Sequence, residues 1–403
     1  MKEIKVIDEI CGGGKTTWMM HEIARHPNQA FIYITPYNDE VDRVLKYLKS
    51  HNVKCTRVFA KRGSKTSHVR ELLMKGENIV ITHSLLDYIS LTDLSFIKPY
   101  NYTLYMDEVH QTVKELPIAI ADVRILLKSG TIEVREDNLI VWLDENYNSE
   151  KKGKVFTAFQ NLCEFGQVFL YGEKIVFYTF PIKIFEHMRE VYVATYMFEG
   201  QLQYAYYNTF NIPIIKYGVG NKNGDYVLVP YDKEKAVLKA EKFLEKIHIS
   251  DSGLQLDNKY WLSSTWFSKQ ENQKYKPAIK NSILAMRKRL GAKSEDIIWT
   301  TLKTEKANLR GKGYTKGFVS LGTRATNEYI DKWCLMYIYN VFINPNIKNF
   351  LISRKGELDE EKYALSELLQ WIFRSRLRRG EDIELYIPSS RMRNLLENWE
   401  EYL

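Results

Sequence analysis

Cys11-Gly12-Gly13-Gly14-Lys15-Thr16-Thr17 stands between an apolar run, Lys2 to Ile10, that reads as a strand, and Thr16 to Arg25, whose apolar residues recur at helical spacing. Glycines between a strand and a helix let backbone N–H groups close around phosphate oxygens, because only glycine tolerates the dihedrals and the close approach. The helix N-terminus adds its positive dipole end. In such a loop Gly12, Gly13, Gly14, Lys15, Thr16 and Thr17 would hold the phosphates of a nucleotide, Lys15 on the β- and γ-phosphates and Thr16 on Mg²⁺. The full pattern G-x-x-x-x-G-K-[ST] is not met, since Glu9 stands where the first glycine belongs.

Outward from the loop, short apolar runs alternate with helical patterns, the rhythm of a parallel sheet covered by helices. Ala30 to Thr35, Asn78 to Thr82 and Thr103 to Met106 read as strands, and Asp39 to His51 reads as a helix. The run Thr103-Leu-Tyr-Met106 delivers Asp107-Glu108-Val109-His110 at its C-terminal end. A hydrophobic strand ending in two acids suits Mg-nucleotide chemistry: Asp107 would hold Mg²⁺ through water, and Glu108 would position and deprotonate the attacking water.

From about 118 to 190 the pattern loosens and reads as an insertion, with a strand at Leu139 to Leu143 and a hairpin over Gln167 to Phe180 turning near Tyr171-Gly172-Glu173-Lys174. A strand resumes at Val191 to Thr195. Tyr217 to Gly224, rich in Gly and Asn, is the linker candidate. Asp232 to His248 reads as an amphipathic helix and Tyr260 to Thr265 as a strand. The expected fold is therefore α/β, two tandem RecA-like parallel-sheet domains over 1–220 and 221–403, with the insertion in the first.

These motifs, in this order, resemble the DExH branch of the superfamily 2 helicases over nearly the whole chain. That branch commonly lacks the first glycine of the loop and keeps the core found here at Gly12 to Thr16. Ile34-Thr35-Pro36-Tyr37 looks like motif Ia, and Ile79 to Ser84 like the strand-loop after it. The resemblance thus implies nucleic-acid contacts for Thr35, Pro36, Thr82 and His83. Asp107 to His110 matches the DExH box, with His110 linking the ATP site to the second domain. Val193-Ala194-Thr195 is placed like motif III, so Thr195 takes a coupling role. Trp261 to Thr265 resembles motif IV and Phe318 to Asn327 motif V, implying nucleic-acid contacts for Ser263, Thr323 and Arg324. Gln370-Trp-Ile-Phe-Arg374-Ser-Arg376-Leu-Arg378-Arg379 looks like motif VI, the source of an arginine finger, although Phe373 replaces its glycine and Leu377 takes its second arginine position. A continuous helix would put Arg374 and Arg378 on one face beside Gln370, and Arg374 is the first choice of finger.

The resemblance implies an ATP- and Mg²⁺-dependent helicase or translocase. Its track would be single-stranded or branched DNA, with RNA as the alternative and replication or recombination proteins as partners. It would act as a monomer. The Lys-, Asn- and Tyr-rich usage looks similar to compact phage-encoded helicases of AT-rich genomes, which places it in a host cytoplasm. Two rivals share the motifs: a packaging terminase-type ATPase, and an ATP-controlled clamp or annealing module that never unwinds.

The formal net charge of +8 suits a polyanionic partner. No apolar stretch reaches the length of a membrane span, and the chain enters a strand pattern at once, so neither a membrane nor a signal peptide is expected. Four scattered cysteines, Cys11, Cys55, Cys163 and Cys334, match no zinc or redox spacing. The stretch Lys303 to Lys316, with Arg310 and Lys312, has the charge for backbone contact and one aromatic, Tyr314, for stacking; a solvated loop would look the same. Tyr171 at the hairpin tip suits either a strand-separating wedge or plain packing. With nothing upstream of the first strand to read adenine, loose nucleotide preference is expected.

Overall fold

The computed structural model describes residues 3–60, 64–89, 91–144, 155–164, 166–250, 253–322 and 327–403. Its first half supplies β1 (Ile4–Asp8), β2 (Phe31–Thr35), β3 (Thr56–Arg57), β4 (Ile79–Thr82) and β5 (Thr103–Asp107). The chain then makes β6 (Val113–Glu115), β7 (Ile132–Val134), β8 (Ile140–Trp142), β9 (Val168–Tyr171) and β10 (Ile175–Thr179) before returning as β11 (Glu190–Thr195), β12 (Ile214–Lys222) and β13 (Asp225–Pro230).

Eight of these strands form one sheet in the order β13-β12-β1-β11-β5-β2-β4-β3. Every neighbouring pair is parallel except β12 with β13. β2 and β5 are apolar without alternation and buried throughout, as the middle strands of a sheet covered on both faces must be. The helices Lys15–Arg25 and Asn38–Ser50 cover one face through Trp18, Met19, Ile23, Val41, Val44 and Leu48. The glycine-loop strand β1 and the acid strand β5 both border β11, so the loop and the acids emerge at one edge with Thr195 between them.

Between β5 and β11, the segments β6-β10-β9 and β7-β8 make two small antiparallel sheets. They close over a core of their own that includes Val123, Ile140, Phe159, Val168 and Val176. The hairpin β9–β10 turns through Gly172 and Glu173, both at positive φ. Tyr171 is not a free wedge: its ring packs edge-on against Phe350 at 6.0 Å and Phe177 at 6.1 Å.

Two expectations are corrected. The glycine-rich stretch read as a linker is the hairpin β12–β13, which extends the first sheet to Pro230. Asn223 and Gly224, at φ 54° and 90°, supply the two left-handed residues that a tight hairpin turn demands. Tyr260 to Thr265 is not a strand. Leu262 takes φ 64°, and the Ser263 hydroxyl accepts the Trp266 amide at 3.2 Å, capping a short helix, Ser264–Ser268. Trp261, Trp266 and Tyr275 then pack on one another, a helical rather than an alternating pattern.

The second sheet, β14 (Ile247–Ile249), β15 (Ile297–Thr300), β16 (Cys334–Tyr337) and β17 (Ile383–Tyr386), runs β14-β17-β16-β15, all parallel. The helix Pro345–Ser353 follows β16 but crosses to the first domain, where Phe350 stacks on Phe177 at 4.4 Å. Lys362 of the helix Glu360–Ile372 and Lys216 of β12 both bind Glu199 at 2.9 Å. Burial pushes the Glu199 carboxyl up, but the two lysines together pull it down to about 2. No helix among the described residues is long and apolar enough to cross a membrane.

Candidate functional site

The loop after β1 turns through Gly12 at φ 87° and Gly14 at φ 90°, and Gly14 caps the helix that starts at Lys15. A Cβ at Gly14 would run into the Tyr226 ring of β13, and one at Gly13 would strike the Glu9 side chain. Glycine is thus demanded by close neighbours as well as by dihedral angle. Glu9, in the place of the missing glycine, is 6% exposed. Its carboxylate accepts the amides of Ile10 (3.0 Å) and Val219 (3.2 Å) and the Lys239 ammonium (2.7 Å), pinning the loop to β12 and to the helix Lys233–Leu244.

The loop opens into a cleft of about 200 Å³ lined by Gly12, Gly14, Lys15, Thr16 and Thr17 from the loop and Asp107 and Glu108 from β5. Gln370, Phe373 and Arg378 line it from the second domain. The Thr16 hydroxyl lies 3.0 Å from each Asp107 oxygen. Burial, with Glu108 alongside, pushes the Asp107 carboxyl up to about 6 in spite of the Thr16 hydrogen bond. Glu108 holds φ 74°, a conformation that costs a non-glycine residue about 1–3 kcal/mol and is kept only where surroundings enforce it. Here its amide donates to the Ala194 carbonyl at 2.8 Å, and the Thr195 hydroxyl stands 3.5 Å from its carboxylate.

These residues fit a Mg-nucleoside triphosphate. Lys15 is 7% exposed and hydrogen-bonds the neutral carbonyls of Glu9 and Ile10, an ammonium held at the loop where an anionic phosphate would meet it. Thr16 and Asp107 form a pair of hard oxygen donors of the kind Mg²⁺ prefers. The Gln370 amide nitrogen is buried without a partner at the cleft wall.

The two arginines of the expected finger part company. The helix stops at Ile372, and Arg376–Arg379 forms a separate 3₁₀ turn, so Arg374 and Arg378 do not share a helix face. Arg374 is 2% exposed and donates to the carbonyls of Ser320 (3.3 Å) and Leu321 (3.2 Å), a structural placement beneath the loop after Phe318. Burial pushes its pKa down to about 10. Of the two, it is Arg378 that lines the cleft.

Other expected positions scatter. Thr35 and Pro36, expected at a nucleic-acid contact, line the cleft beside the glycine loop, because β2 ends beside β5. Thr82 is buried, its hydroxyl 2.9 Å from that of Ser84. His83 donates through Nε2 to the Asp107 carbonyl (2.9 Å), bracing the acid strand from behind. His110 is 4% exposed. Its Nε2 lies 3.0 Å from Asp87, and its amide donates to Gln203 at 2.7 Å, both partners in the first domain. Ser263 caps its helix. Arg310 and Lys312 are exposed, but Tyr314 is fully buried edge-on to Trp299 at 5.3 Å and offers no stacking face. Thr323 and Arg324 lie outside the described residues.

Cys11, Glu40, Arg43 and Tyr226 also line the cleft, positions that no motif in the sequence marks for that role. The Asn223-Gly224 pair was the available signal for Tyr226, since a two-residue hairpin there carries the next strand back beside the loop.

Facing parallel-sheet domains that build one cleft from a glycine loop, an acid pair and a second-domain arginine define the class: a two-domain α/β protein with a cleft between its sheets. A family model described as the YonV C-terminal Rossmann-like domain matches residues 241–400. The SPbeta prophage-derived protein YonV of Bacillus subtilis (strain 168) is 37% identical over 411 residues, covering 100% of this chain and 99% of that one. The chain belongs to the YonV family. In fold it is similar to the solved Xpd4 of S. tokodaii, with a TM-score of 0.50 and 11% identity over 98% of this chain and 94% of that one. The DUF1998 helicase MrfA, solved with DNA and AMPPNP, gives a looser likeness at a TM-score of 0.38 and 11% identity, over 100% of this chain and 48% of that one.

Proposed function

We propose that this YonV-family protein is a nucleic-acid-stimulated ATPase, a helicase or translocase of the superfamily 2 type working on DNA in replication, recombination or repair. The observation that carries the reading is Arg378, brought from the second domain to the phosphate loop of the first, beside Asp107 and Glu108. A motor needs hydrolysis to depend on how its two domains meet, and a cation supplied across the cleft creates that dependence.

In this reading Lys15 and the loop amides would hold the β- and γ-phosphates, and Thr16 and Asp107 would hold Mg²⁺, which would supply charge neutralisation for the phosphates. Glu108 orients a water and takes its proton as the water oxygen bonds to the γ-phosphorus and the bond to the β-phosphate oxygen breaks. Arg378 offsets the charge that grows on the transferring group. Thr195 touches Glu108, and its neighbour Tyr196 accepts the Trp399 indole N–H at 3.0 Å, so the acid is linked to the second domain's core.

The net charge of +8 and the exposed Arg310, Lys312 and Lys316 support a nucleic-acid track. The prophage origin of YonV supports a phage-encoded setting and action in the host cytoplasm. Steady-state ATP hydrolysis with and without single-stranded DNA, duplex DNA and RNA tests the reading. Stimulation that is lost in Lys15→Ala and Glu108→Gln is expected; hydrolysis indifferent to every nucleic acid overturns the motor.

A further inference from the structure

We infer that Tyr226, on the hairpin β12–β13, is the platform on which the base of the bound nucleoside triphosphate stacks. The inference rests on the nucleotide site proposed above and extends it from the phosphates to the base.

Strand order sets the direction in which a nucleotide must lie. Asp107 and Glu108 end β5, on the β11 side of the phosphate-loop strand; Tyr226 is on β13, beyond β12 on its other side. A triphosphate with its γ-phosphate at the acids therefore directs its α-phosphate and nucleoside away from β5, toward the hairpin. Tyr226 lines the same cleft as Gly14, Lys15 and Thr17. Its ring lies so close over Gly14 that no Cβ fits between them.

The ring is held rather than loose. Register pairs Tyr226 with Asn221 across the hairpin, and His21 of the helix Lys15–Arg25 meets it edge-on at 6.3 Å. Asp225 next to it lies 3.8 Å from Arg25 and 3.9 Å from His21, which ties the hairpin to the helix that carries the loop. A fixed, half-buried tyrosine offers a π-face, and every base has one to set against it. Stacking of this kind grips a base without reading its edge. Discrimination between ATP and GTP is accordingly small, within about tenfold.

The test compares Mg-ATP, Mg-GTP and Mg-tripolyphosphate binding, by calorimetry, to the full chain and to Tyr226→Ala and Tyr226→Phe. Tripolyphosphate presents the phosphates without a base. Tyr226→Ala is expected to lose about tenfold or more in affinity for ATP and GTP alike while holding tripolyphosphate as the wild type does, and Tyr226→Phe to keep both. Retained tripolyphosphate binding also shows that the alanine variant is folded at the loop. Wild-type ATP affinity in Tyr226→Ala, with tripolyphosphate bound, overturns the platform and leaves the phosphate site standing. Failure of the wild type to bind either ligand overturns the nucleotide site and the platform with it.

Discussion

Arg378 of the second domain closes on Gly12 of the first: its Cγ and its carbonyl oxygen each lie 3.4 Å from where a Cβ on Gly12 would stand. Arg374, four positions earlier, is turned inward to two carbonyls. Arg378→Ala is expected to lower kcat by about 100-fold or more with little change in Tm. Arg374→Ala is expected to cost roughly 2–4 kcal/mol of stability, because two buried carbonyls lose their donors. Kinetics and denaturant melts of the two variants check this together; the opposite pattern would return the finger to Arg374.

Asp107 offers a test through pH. Its folded value, about 6, lies above the ordinary carboxyl value of 3.8, owing to burial and then to Glu108. A raised carboxyl contributes stability below about pH 4 that is lost as pH climbs through about 6. Its ionised form therefore strains the protein at neutral pH by roughly 2–3 kcal/mol. Asp107→Asn should raise Tm at pH 7.5 and change it little at pH 4. Mg²⁺ should raise the wild-type Tm at pH 7.5 and leave that of the variant unmoved. A variant less stable than wild type at pH 7.5 would refute this.

Glu9 departs from the loop pattern, yet restoring glycine should harm the protein. Glu9→Gly strips partners from the Ile10 and Val219 amides and from Lys239, at a cost of about 2–4 kcal/mol. Lys239→Ala should cost nearer 1 kcal/mol, since the lysine is 43% exposed and screened by solvent. Urea unfolding of both variants reads the difference, and equal costs would mean that the amides contribute little.

The stretch Lys303 to Lys316 separates charge from packing. Removing Arg310 and Lys312 together should lower the slope of log affinity for single-stranded DNA against log salt by about 1.4 and leave basal hydrolysis alone. Tyr314→Ala should instead destabilise by about 3–5 kcal/mol, since the ring is core. Salt titrations by fluorescence anisotropy and a thermal melt distinguish these; an unchanged slope would take the loop off the track.

Much of the first domain was readable in the chain itself. Strand, glycine turn and helix are contiguous from Ile4 to Arg25, and β5 delivers Asp107 and Glu108 with no intervening residues. Apolar runs without alternation announced a covered parallel sheet, and their physical cause, burial on both faces, is local to each strand. Tyr217 to Gly224 misled because glycine and asparagine serve linkers and tight turns equally well. Only the partner strand Asp225–Pro230 decides between the two.

The sequence by itself determined the groups at hand: a glycine loop ending in Lys15 and Thr16, an acid pair after a strand, and a basic chain, all set by neighbours in the chain. Tertiary structure alone decided which arginine faces the cleft, that Tyr226 covers Gly14, that Glu9 is tied to Lys239, and that Phe350 packs on Phe177. The reason is physical. Ser375 donates to the Ile372 carbonyl at 2.7 Å and accepts the Leu377 amide at 3.3 Å, breaking the helix so that Arg378 swings toward Gly12. Distances between segments hundreds of residues apart are set by how whole sheets and helices pack, and no local pattern encodes them.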